Sequence, residues 1–73
     1  MAQFKELGRI NITETKNIVA NQLIEDGEMK GVHFNTHIIT AKYEGFAQGG
    51  LFIPANKLEE FGELIKTVLA IKV

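Results

Sequence analysis

The stretch from Lys30 to Phe61, KGVHFNTHIITAKYEGFAQGGLFIPANKLEEF, constrains this chain more than any other, because it runs through strand, glycine-rich turn, short strand and helix start without a gap. Between Val32 and Ile38 the residue types alternate. Val32, Phe34, Thr36 and Ile38 point one way, while His33, Asn35 and His37 point the other, the period-two signature of a half-buried strand. One face is expected to be core, and the other is free for a ligand. After Gly49 and Gly50, Leu51 and Ile53 share a face of a short strand, and Pro54 ends the ladder by removing a donor.

The rest of the chain supplies partners for that unit. Phe4 to Thr13 reads as a first strand, with Ile10 and Ile12 facing the core and Arg9, Asn11 and Thr13 on the opposite side. Thr15 to Glu25 carries Ile18, Val19, Leu23 and Ile24 in neither clean alternation nor helical spacing. Its β-branched content favours a strand, with a helix as the alternative. Asp26-Gly27 is a strong two-residue turn signal and makes Ile18 to Ile24 and Val32 to Ile39 the arms of a hairpin. Tyr43-Glu44-Gly45-Phe46 and Gly49-Gly50 mark the next reversal, giving a four-stranded antiparallel meander.

The last segment reads as a helix. Asn56 followed by Glu59 has the form of a capping box, Glu59, Glu60 and Glu63 lie toward the positive end, and Lys66 and Lys72 toward the negative end. Leu58, Phe61, Leu64, Ile65, Val68 and Leu69 recur at helical spacing, and Ala70, Ile71 and Val73 widen the stripe. Such a helix has two surfaces to cover: one meets the sheet and the other a second copy of itself. Gly62 either permits close approach there or is simply a tolerated small residue. The predicted class is α+β, one domain over residues 1–73, a four-stranded antiparallel sheet followed by one C-terminal helix.

Size supports the second copy. A 73-residue domain buries only about 60% of the surface its unfolded chain exposes, and with no cysteine there is no disulfide or thiolate zinc site to staple it. A homodimer is expected. The opening MAQFKELGRI does not resemble a signal peptide, and no apolar run approaches the roughly 18 residues of a membrane span, so no membrane association is expected and the expected location is the cytoplasm.

Candidate chemistry narrows by elimination. His33 and His37 are four residues apart on one strand, about 13 Å at roughly 3.3 Å per residue, too far to chelate one ion, so no metal site is expected. Gly45 to Gly50 lacks the Lys-Ser/Thr ending of a phosphate loop and precedes a strand, and it reads as a turn. There is no cysteine or serine nucleophile, and the carboxylates fall in a turn and on a solvated helix face, which argues against an enzyme and a cofactor. What remains is a binding face. Imidazole stacks on bases, Asn hydrogen-bonds edges or phosphates, and the loop aromatics Tyr43 and Phe46 stand near Lys42 as stacking groups for single strands. The plainer alternatives are a solvated sheet face, and for Phe46 a ring folded back on the core. The formal net charge of -1 is a poor match to a strongly basic nucleic-acid binder. Yet the acidic residues lie largely in the Glu25–Glu28 turn and on the helix, leaving a sheet face to carry cations.

The order of four strands and a helix, ending in GGLFIPANKLEEFGELI, resembles the positive cofactor four family of transcriptional coactivators, found in eukaryotes, bacteria and some bacteriophages. Lys30-Gly31-Val32 to Ile39 looks like that family's strand after a Lys/Gly turn, and Gly50-Leu51-Phe52-Ile53-Pro54-Ala55 like its apolar strand running into the helix. The likeness covers roughly Ile18 to Ile71. It implies a four-stranded sheet and a helix, homodimers joined through the helices, and single-stranded DNA as partner. It also implies a DNA-contacting role for Lys30, a position for His37 where the family often has arginine, and a basic loop at Lys42, Tyr43 and Phe46. Here that loop is shorter and poorer in lysine, and Thr40 stands where an aromatic is expected. The expected nucleic-acid-binding set is Arg9, Lys16, Lys30, His33, Asn35, His37, Lys42, Tyr43 and Phe46. The expected setting is replication, recombination or transcription, the alternative being a small dimeric protein-interaction module.

Overall fold

The computed structural model describes residues 2–71; Lys72 and Val73, assigned above to the end of the helix, lie outside the described residues. Strands β1 (Ala2–Thr13), β2 (Lys16–Glu25), β3 (Glu28–Ile39), β4 (Glu44–Phe46) and β5 (Leu51–Pro54) precede a 3₁₀ turn (Ala55–Lys57) and helix α1 (Leu58–Leu69). All strand pairs are antiparallel: β1 lies beside β2, β2 beside β3, and both β4 and β5 pair with β3. The fold is α+β, as the sequence pattern implied, and no helix among the described residues is long and apolar enough to cross a membrane.

The β2–β3 hairpin forms where Asp26-Gly27 demands it. Glu25 faces Glu28, and the two residues between them have φ of 54° and 76°, the positive values a two-residue turn needs to match the twist of its strands. The segment 16–25, read as a strand with a helix as the alternative, is a strand along its whole length.

The last strand comes in two pieces on one edge of β3. His37 to Ile39 pair with Phe46 to Glu44, and Gly31 to Phe34 pair with Pro54 to Leu51. Between them the Ala47 amide still donates to the Thr36 carbonyl at 2.9 Å. The reversal therefore sits earlier than Tyr43–Phe46 and Gly49-Gly50. It is the Thr40–Tyr43 turn, closed by the Thr40 amide on the Tyr43 carbonyl at 2.7 Å, with the Thr40 hydroxyl accepting from the Tyr43 amide at 3.0 Å. The Thr40 hydroxyl thus holds this turn. Gly49 and Gly50, with φ of 89° and 127°, mark the break in the strand.

Helix α1 begins at Leu58 behind Lys57, with no side-chain cap. The expected Asn56–Glu59 capping box does not form, because Pro54 stays extended and the next three residues wind into the 3₁₀ turn, which takes in Asn56. Glu59 and Glu60 then lie in the first turn, where they act on the helix dipole, and Glu60 also accepts from Lys57 Nζ at 3.3 Å. The helix sits against the sheet through Phe61, whose ring meets Phe34 at a centroid distance of 5.6 Å. Leu58 and Phe61 are half-buried and the rest of α1 is exposed.

The core is correspondingly small: among the described residues, the buried apolar ones are Val19 and Val32. Ile10 and Ile12, expected in it, are 63% and 54% exposed. Ile10 lies opposite Ile18 on the Phe34 side of the sheet, but α1 follows β5 at the far edge, and its ring contact, Phe61 on Phe34, is with β3, two strands from β1. Ile12 is an extra residue in a bulge between Asn11 and Thr13.

Candidate nucleic-acid interface

Residues opposite one another in an antiparallel pair share a face, so register assigns each side chain. On the His33 face, β3 contributes His33, Asn35 and His37, β2 contributes Asn21, Val19 and Asn17, and β1 contributes Phe4, Glu6, Arg9 and Asn11. Phe46 joins opposite His37, and Phe52 opposite His33. The rings gather in two groups. His33 lies between Phe4 and Phe52 at centroid distances of 6.3 and 6.5 Å, and His37 lies 4.9 Å from Phe46. Asparagines 11, 17, 21 and 35 share the same face.

Glycine makes room for one of these rings. A Cβ at Gly31 would stand 2.6 Å from Cζ of Phe52, so the ring lies over a residue with no side chain.

Of the nine residues expected at the interface, His33, Asn35, His37, Phe46 and Arg9 share this face. Lys16 does not, since it lies opposite Ile38 on the Phe34 side. Tyr43 is also apart. Its hydroxyl donates to the Phe46 carbonyl at 3.3 Å, and its ring lies where a Cβ on Gly45 would point, on the side of Ile38. Lys42 is exposed within the Thr40–Tyr43 turn, and Lys30 is the extra residue of a bulge between Met29 and Gly31. Phe4, Asn21 and Phe52 are additions that sequence reasoning did not single out. For Phe52 the alternation was available, since Leu51 and Ile53 already claimed the other side.

Basic side chains on and beside this face lie against carboxylates. The Arg9 guanidinium donates to Glu6 from Nη2 at 2.7 Å and from Nε at 3.0 Å, which holds the Glu6 carboxyl below its usual range and raises Arg9 above its own. Lys30 Nζ is 3.2 Å from Glu28, and His37 Nε2 is 3.9 Å from Glu44. These pairs are solvent-exposed at one or both partners, where ion pairs exchange readily for other anions.

Between the two ring groups lies a concavity of about 380 Å³ lined by Phe4, Asn21, His33, Asn35 and Phe46. The opposite side of the sheet has an apolar trough of about 350 Å³ against Leu7, Gly8, Ile10, Ile18, Ala20 and Phe34, which Arg9 also lines. No family model matches the chain, and no curated protein or solved structure matches it either.

Proposed function

We propose that this chain is a non-enzymatic single-stranded DNA-binding protein of the positive cofactor four type that takes the strand across the His33 face and works as a homodimer. The observation that carries the reading is the ring arrangement: Phe4, Phe46 and Phe52 remain 62%, 48% and 41% exposed, on a face interleaved with asparagines and edged by Arg9. Exposed rings separated by amides suit unstacked bases, because stacking contributes about 1–3 kcal/mol per base without requiring a given sequence. Arg9 and Lys30 can exchange their carboxylates for phosphates. The service is to replication, recombination or transcription, in a bacterium or a bacteriophage.

The homodimer is supported by what one chain leaves uncovered. Leu64, Val68 and Leu69 on α1 and Ile71 just after it are 52–77% exposed, with Leu7 and Ile10 exposed on the same side of the sheet. An apolar surface of this kind marks an interaction site, and a second copy brings the same surface by symmetry. The same apolar trough also favours a second reading, a protein-interaction module without nucleic acid.

Fluorescence anisotropy with labelled single strands and their duplexes separates the two. Single strands are expected to bind far better than duplex, with a salt slope of about -0.7 per phosphate contact, near -4 for a dimer making roughly six. Equal affinity for both forms, or affinity insensitive to salt, removes the DNA reading. Lys57 at the start of α1 and Lys66 within it, paired with Glu60 and Glu63, are expected to be silent.

A further inference from the structure

Resting on the single-strand reading, we infer that the concavity between Phe4 and Phe46 is a base-reading subsite that takes one base of the strand and prefers adenine. Its volume of about 380 Å³ falls within the roughly 300–1,000 Å³ of small-ligand sites. The lining divides by chemistry: two phenyl rings supply π-faces, and the carboxamides of Asn21 and Asn35 supply a donor and an acceptor each.

A carboxamide matches a base that offers an adjacent donor and acceptor, and the pairing favoured by this geometry is Asn with adenine, through its exocyclic amine and ring nitrogen. A purine also presents the larger surface to two rings. Guanine is most often read by Arg or Lys, and neither lines this concavity.

Asn35 itself is poised for a partner. Its Oδ1 is buried and makes no hydrogen bond, an acceptor that an exocyclic amine would satisfy. The Gly49-Gly50 break lies directly against it: a Cβ on Gly50 would stand 2.5 Å from Asn35 Oδ1 and 3.0 Å from His33 Nε2. A base edge that reaches Asn35 Oδ1 therefore displaces the Gly50 backbone from it, while at Gly49 a would-be Cβ has no neighbour within 4 Å.

The test uses the full chain and short oligo-dT strands in which one central base is changed to dA, dC, dG or an abasic site. The dA strand is expected to bind roughly tenfold more tightly than the others. Asn21→Leu and Asn35→Leu are each expected to bring that ratio to about one. Free deoxyadenosine, followed by NMR, is expected to shift the side-chain amide signals of Asn21 and Asn35 more than thymidine does. If all strands bind equally while single strands still outcompete duplex, the subsite falls and the single-strand reading stands. If no single strand binds and deoxyadenosine shifts nothing, both fall. A preference that survives both Asn variants also overturns the subsite.

Discussion

Arg9 and Glu6 stand side by side on one face of β1, guanidinium to carboxylate at 2.7 and 3.0 Å, although residues three apart on a regular strand point to opposite sides. The bulge between Glu6 and Gly8 makes this possible. Leu7 is an extra residue there, so Glu6 opposite Asn21 and Arg9 opposite Val19 share the His33 face.

That pair sets the first prediction. Glu6→Gln removes the competing carboxylate and frees Arg9 for phosphate. Single-strand affinity is expected to rise several-fold at low salt, and the salt slope to steepen by about 0.7 per protomer. Lowering pH is expected to act the same way. The Glu6 pKa is depressed, so the pair is intact above the ordinary Glu value near 4.5 and is lost as pH falls through the lower folded value. Affinity titrations at several salt concentrations check this, and an unchanged slope in the Glu6 variant would show that Arg9 touches no phosphate.

Stacking makes a second. Phe4→Ala and Phe52→Ala are each expected to weaken single-strand binding by about 1–3 kcal/mol, and Phe4→Ala, at a ring 62% exposed, to move the melting temperature less than Phe52→Ala, at a ring 41% exposed. Tyr43→Ala, on the other side of the sheet, should leave affinity near the wild-type value. If Tyr43 proves to matter and Phe4 does not, the strand runs over the other face.

The dimer makes a third. In an isolated chain Val68 and Leu69 are 52% and 77% exposed, and Asp at either position would change stability by only about 0.5 kcal/mol. In a dimer seam the same changes bury a charge. Val68→Asp and Leu69→Asp are therefore expected to dissociate the assembly and to lower the thermal midpoint or cause aggregation, as followed by light scattering and circular dichroism. A well-folded wild-type monomer at micromolar concentration would count against the seam.

The small core makes a fourth. Val19 is 1% exposed, so Val19→Ala removes two buried carbons and is expected to cost about 2 kcal/mol in urea unfolding. Ile10→Ala, at a residue 63% exposed, should cost much less in the monomer, and a large loss there would show that a second chain covers it.

Local chemistry made much of this legible from sequence. Asp26-Gly27 fixes its own turn, the alternation from Val32 to Ile38 separates the two faces of β3, and Leu58, Phe61 and their successors mark the helix. What escaped depends on partners across the sheet. The bulges at Leu7, Ile12 and Lys30 change which side a residue faces, and no single strand's pattern shows where an extra residue will be accommodated. Phe4 belongs with His33 only once β1 and β3 are both registered on β2. Lys16 and Tyr43 stand near polar strand residues in sequence yet lie on the other side of the sheet, because proximity along the chain says nothing about side. The capping box at Asn56 failed for a local reason, since the turn that follows Pro54 consumed the residues it needed.

The break between β4 and β5 also makes the sheet edge modular. Each half of the last strand is held on β3 by its own hydrogen bonds, and nothing crowds Gly49, so added residues there would change the loop without shifting either register. A fluorophore-bearing or peptide insertion at that point would sit beside Asn35 and His33, turning the chain into a reporter of whatever occupies the face.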